Sequence, residues 1–166
     1  VGVVAQYVME DLAKIPVRVE LASEFRYRKP LLDPNGLVIV ISQSGETADS
    51  LAALRLAKDK GLKTLGIVNV VGSSIAREAD NVFYTLAGPE IAVATTKAYS
   101  TQLIAAYCLA LQFAYVRGQV ELSEYESLIS ELETIPEKIE KIRVKRIKRE
   151  KFKHLLKTLG LSAGRK

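Results

Sequence analysis

The sequence predicts an α/β fold: a doubly wound parallel sheet with helices on both faces. Three observations carry that expectation. The run 37–41, Leu-Val-Ile-Val-Ile, is continuous and rich in β-branched residues, as a parallel strand buried on both faces should be. Runs of strand length alternate with segments of helical period along most of the chain. The first strong strand also breaks abruptly into small hydroxylated residues around a glycine, the signature of a strand turning into a helix.

The elements follow in order. Residues 3–15 carry a helical pattern, 17–21 read as a short strand, and 37–41 form the central strand. Residues 48–60 make a helix with Leu51, Leu54 and Ala57 on one face, and Gly61 suits its C-cap. Residues 62–70 supply the next strand, 73–79 a short helix opened by a hydroxyl pair, and 81–86 a further strand. A long helix starts at Thr95 or Thr96 and runs to Arg117, where Gly118 stops it. Another covers 123–142.

Length and composition bound the rest. With 166 residues and 48% hydrophobic content, the chain suits one core rather than two. No apolar stretch reaches the length of a membrane span and no signal-peptide arrangement opens the chain, so a cytoplasmic domain is expected. The single cysteine, Cys108, sits in an apolar stretch and reads as a small buried hydrophobe. Residues 1–142 hold 14 Lys and Arg against 18 Asp and Glu, whereas 143–166 hold 10 against 1. The overall charge of +5 is therefore a property of the tail. Domain boundaries are expected at 1–142 and 143–166. In the tail, Phe152, Leu155, Leu156 and Leu159 fall at helical spacing on one face. A basic amphipathic helix of this kind suits either a packed linker or a contact to nucleic acid or membrane, the linker being the favoured reading.

The chemistry concentrates in Ser42-Gln43-Ser44-Gly45-Glu46-Thr47. A strand that turns sharply into a helix leaves backbone N–H groups at the carboxyl edge of the sheet. Short hydroxyls and the positive end of the helix dipole complete an anion site that needs no cation. Gly45 permits the tight turn. The loop is neither a Walker A sequence nor a Gly-x-Gly-x-x-Gly turn. The plainer alternative is that Ser44 or Thr47 merely caps the helix. Glu46, in the first helical turn, reads as a structural residue that orients the loop through its own hydrogen bonds.

The string Ser-Gln-Ser-Gly-Glu-Thr resembles the phosphosugar-binding signature of the sugar isomerase (SIS) domain family. Residues 22–28 (Ala-Ser-Glu-Phe-Arg-Tyr-Arg), 69–74 (Asn-Val-Val-Gly-Ser-Ser) and 90–98 (Glu-Ile-Ala-Val-Ala-Thr-Thr-Lys-Ala), with Thr101-Gln102, extend the likeness. Within the family, residues 3–142 are similar to the first SIS domain in the isomerase half of the glutamine–fructose-6-phosphate aminotransferases. The resemblance implies a flavodoxin-like fold and a hexose 6-phosphate ligand, fructose 6-phosphate or glucosamine 6-phosphate. It implies that Ser42, Gln43, Ser44, Gly45 and Thr47 hold the phosphate and adjacent hydroxyls, with Val93 and Thr95 contributing from a second segment. Thr95-Thr96 also suits the cap of the long helix, and the two roles are compatible.

The resemblance implies neither a cofactor nor a metal. It also implies a strand ahead of residue 1, absent from this sequence, which leaves the expected sheet one strand short. Ketose–aldose isomerisation needs a general base. By resemblance that base comes from a second SIS domain, a partner subunit and a C-terminal tail, none of them present here, and the glutaminase domain is absent too. No catalytic residue is therefore assigned. The sole histidine, His154, lies in the basic tail outside every matched motif. The string Phe25-Arg26-Tyr27-Arg28-Lys29 reads as surface or interface structure away from the phosphate loop. Partners expected are a hexose 6-phosphate and a second copy of the chain, paired through the apolar helix 98–115. The runner-up function is a stand-alone phosphosugar sensor acting through its basic tail.

Overall fold

A computed structural model of the chain describes residues 1–89 and 96–146. Three runs rich in apolar residues pair into a parallel sheet in the order β1 (Leu37–Ser42), β2 (Lys63–Val68), β3 (Asn81–Tyr84). Ser42 stands opposite Val68, and Val68 opposite Tyr84, so the three carboxyl ends lie in one row. Parallel pairing demands a crossover between strands. Helix α3 (Ala48–Asp59) provides it after β1, and the short helix α4 (Ser74–Glu78) after β2.

Strand residues alternate between the two faces. On one face Val40 and Val68 meet Leu54 of α3 and Ile75 of α4, with Leu54, Val68 and Ile75 fully buried. Gly66 makes room for that contact, since a Cβ there would lie 2.9 Å from the Ile75 side chain. The other face carries Ile39. It is covered by α1 (Gly2–Val8), which continues as a π-helical turn over Met9–Ala13, and by α5 (Thr96–Val116), through Val8, Met9 and Ala110. Helices thus cover both faces, as the alternating pattern predicts.

Glycine closes two of the helices as expected. At the end of α3 the Gly61 N–H donates to Lys58 O and the Leu62 N–H to Ala57 O; at the end of α5 Gly118 and Gln119 repeat the pattern on Tyr115 and Ala114. This reciprocal pair is the Schellman arrangement. The Arg117 side chain then reaches back to donate to Ala13 O at 3.0 Å, tying the end of α5 to the end of the first helical segment.

Two elements depart from the sequence expectation. Residues 17–21 form no strand. The Val17 N–H donates to Glu10 Oε1 and the Gln6 side chain donates to Val17 O, so the first helical segment satisfies the groups a neighbouring strand would have used. A short helix, α2 (Ala22–Phe25), follows and lies against α3. The expected helix 123–142 is divided at Thr134 into α6 (Leu122–Glu133) and α7 (Ile135–Arg146). Pro136 is responsible: it has no N–H to continue the ladder and its ring conflicts with the carbonyl four residues back, so it sits in the first turn of a new helix.

Residues Val1–Tyr125 form one compact unit and the chain from Glu126 a second. In the first, Tyr115 and Tyr125 stack with ring centroids 5.0 Å apart. Cys108 is half-buried rather than buried, and burial pushes its thiol above the ordinary range. No helix among the described residues is long and apolar enough to cross a membrane. Val93, Thr95 and the stretch from 147 onward, with His154, lie outside the described residues.

Candidate functional site

The loop between β1 and α3 is built by local bonds. Ser42 is buried at the end of β1, and its Oγ accepts the Gly45 N–H at 3.0 Å. Ser44 Oγ accepts the Glu46 N–H at 3.2 Å. Gly45 has φ +69°, in the left-handed region that L side chains avoid. A Cβ at that position would also fall 2.1 Å from Ser73 Oγ, so both conformation and space exclude a side chain. Two residues further on, Thr47 takes the N-cap position of α3 with extended backbone.

Thr47 makes no capping bond. Its side chain is exposed and Ser44 is engaged with Glu46, so neither residue closes α3. A twelve-residue helix thus presents its first turn of N–H groups at the carboxyl edge of the sheet, with no side chain among the described residues capping them. A helix start of this kind at the carboxyl edge of a parallel sheet is a geometry able to receive an anion.

The segment that follows β2, through the start of α4, holds the loop from behind. Ile75 N–H donates to Gly45 O, and Asn69 N–H to Gln43 O. Glu46 Oε1 accepts the Ser74 N–H at 2.8 Å, which makes it an orienting residue, as its place in the sequence predicts. The Ser74 hydroxyl and N–H, with the Arg77 charge nearby, hold the Glu46 carboxyl below its ordinary range. Ser73 sits beneath Gly45, 2% exposed, and its hydroxyl has no partner among the described residues.

The sequence reading missed two connections. Arg26 Nη1 bonds Asp49 Oδ1 at 2.6 Å, in the first turn of α3, so the aromatic-basic string lies beside the loop and not away from it. This hydrogen bond raises the Arg26 guanidinium further above its ordinary value. The second connection is Asn69, at the carboxyl end of β2. Its Oδ1 accepts from the Ala87 N–H and the Thr85 hydroxyl, and its Nδ2 donates to Gly88 O. Between those partners Leu86 is held at φ +50°, a left-handed conformation that costs a non-glycine residue about 1–2 kcal/mol. Asn69 lies inside the motif 69–74, but no local pattern announces bonds to residues 16 to 19 positions away.

Across the sheet from the loop, a second small network lies at the amino ends of β2 and β3. Thr64 N–H and Oγ1 both donate to Asp80 Oδ2, and the Asp80 N–H donates back to Thr64 Oγ1. The Thr64 bonds hold the Asp80 carboxyl below its ordinary range. This box fixes strand ends remote from the loop and is structural.

The SIS domain family model matches residues 1–112. The chain is a member of the SIS domain family. The glutamine–fructose-6-phosphate aminotransferase [isomerizing] of Clostridium tetani is 60% identical over 140 residues, which cover 84% of this chain and 23% of that protein. Its counterpart in Caldanaerobacter subterraneus subsp. tengcongensis is 58% identical over 139 residues, with the same coverage of each. Among solved structures, the C-terminal domain of glucosamine-fructose-6-phosphate aminotransferase from Francisella tularensis superposes with a TM-score of 0.78 at 43% identity. That match covers 81% of this chain and 38% of the other. The chain spans about a quarter of the length of the curated relatives it matches. The SIS loop Ser42–Thr47 and the strand ends that support it fall inside the matched segment.

Proposed function

We propose that this SIS domain is the phosphosugar-binding lobe of a glutamine–fructose-6-phosphate aminotransferase, taking fructose 6-phosphate or glucosamine 6-phosphate at the Ser42–Thr47 loop. The observation that carries the reading is the uncapped first turn of α3 behind that loop. The N–H groups of the turn and the Ser44 and Thr47 hydroxyls receive the phosphate oxygens. Ser42 closes the turn through Gly45 while its own hydroxyl proton remains able to donate. Gln43 and Gly45 shape the loop, and Val93 and Thr95 contact the sugar from the second segment. Likeness to the aminotransferases over a quarter of their length supports the choice of hexose 6-phosphate over other phosphate esters.

The lobe binds and does not turn over. Moving a proton between adjacent sugar carbons requires a base within hydrogen-bond reach of the substrate. The one carboxylate in the loop, Glu46, accepts the Ser74 N–H, and the bonds from Ser74 that lower its pKa also weaken it as a base. Residues from a second SIS domain and a second copy of the chain complete the reaction, in the cytoplasm.

Calorimetric titration with fructose 6-phosphate, glucosamine 6-phosphate and inorganic phosphate, with isomerisation assayed in the same samples, tests the reading. Hexose 6-phosphate binding without turnover is the expected result. Turnover overturns the division of labour, and failure of every phosphate compound to bind overturns the loop assignment.

A further inference from the structure

Asn69 is buried at 8% exposure, and its side chain makes three hydrogen bonds to one turn, residues 85–88. Its backbone N–H makes a fourth bond, to Gln43 O in the phosphate loop. One residue at the end of the middle strand therefore holds the loops that follow both outer strands. The bonds to Thr85 and Ala87 bracket Leu86, whose left-handed φ persists only where the surroundings impose it. Parallel strands lie about 4.8 Å apart, so the loop after β1 and the turn after β3 stand about 10 Å apart across the sheet edge. Ligands of open parallel sheets lie in the crevice outside those carboxyl ends. On the proposed reading a free phosphate reaches only the first loop, whereas a hexose attached to it has the length to extend towards the second.

We infer that Asn69 is a positioning residue that sets the spacing between the phosphate loop and the 85–88 turn, and so the preference for a phosphorylated hexose over free phosphate. The inference rests on the reading of Ser42–Thr47 as a phosphosugar site and adds to it a residue that touches no ligand. In the 166-residue chain, Asn69→Asp keeps the size and the backbone bond to Gln43 but replaces the donor facing Gly88 O with a charged acceptor. The expected result is a five- to tenfold loss of fructose 6-phosphate affinity, about what one hydrogen bond is worth, with inorganic phosphate affinity unchanged within twofold. Thr85→Val removes a single bond to Oδ1 and is expected to give a smaller loss with the same selectivity. It carries the test if Asn69→Asp does not fold.

A merely structural role lowers both affinities together with the folded fraction, read in parallel by thermal unfolding. Equal losses for the two ligands, or no loss for either, overturn the inference while leaving the loop assignment standing. Failure of the unsubstituted chain to bind either ligand overturns the loop reading and the inference together.

Discussion

Thr47 and Glu46 sit side by side in the loop and are predicted to behave in opposite ways. Thr47 makes no capping bond, so Thr47→Ala should leave folding stability almost unchanged. If its hydroxyl meets phosphate, the same change costs about 1.5–3 kcal/mol of binding, the range for a hydrogen bond to a charged group. Thr47→Asp separates the two roles more sharply. A carboxylate at the N-cap stabilises α3 by about 0.3–1 kcal/mol through the dipole and repels a phosphate from the same place. A higher unfolding midpoint combined with abolished binding is the expected signature.

Glu46 contributes through Ser74, and its folded-state pKa is depressed. Its stabilisation is therefore fully present above the ordinary glutamate pKa of about 4.3 and is lost as pH falls through the lower folded value. The stability difference between the unsubstituted chain and Glu46→Gln, followed by denaturant titration, should be constant from about pH 7 to 5 and vanish under stronger acid. A difference that disappears near neutrality contradicts the assignment.

At the scale of elements, the sequence was most informative where structure is local. The strand Leu37–Ser42, the glycine stops after α3 and α5, and the Ser42–Thr47 turn all announce themselves within a few residues. Such patterns follow from side-chain period and backbone sterics alone. Residues 17–21 have strand composition but pair with no strand among the described residues; strand character needs a partner, and here Gln6 and Glu10 of the first helical segment bond the Val17 backbone instead. The break at Thr134 was legible in Pro136, which periodicity over 123–142 concealed.

The Arg26–Asp49 and Asn69 contacts were not legible. They join elements distant in sequence, and only the assembled sheet edge brings their partners together. Burial makes one stability prediction at this scale. Leu54 of α3, enclosed by Val40 of β1, Val68 of β2 and Ile75 of α4, should cost about 2–5 kcal/mol on replacement by alanine, whereas breaking the exposed Arg55–Glu78 pair should have little effect. Urea unfolding of Leu54→Ala and Arg55→Ala compares the two directly.

For the molecule as a whole, three parallel strands end in one row, and the chain leaves each end towards the same edge. This places the uncapped helix terminus, the Glu46 tether and the Asn69 bridge on one side of the sheet, with the Thr64–Asp80 box at the other. The candidate site residues legible in sequence were those of the loop itself. Those that hold it in place became visible only through the fold.

On the proposed function, the N–H groups opening α3 receive the phosphate of a hexose 6-phosphate. Amide chemical-shift mapping of the isotope-labelled chain during titration with fructose 6-phosphate, inorganic phosphate and unphosphorylated fructose tests it at the atoms concerned. The amides of residues 44–50 are expected to shift with both phosphate compounds and stay unmoved by fructose. Shifts that avoid this segment, or that fructose reproduces, contradict it.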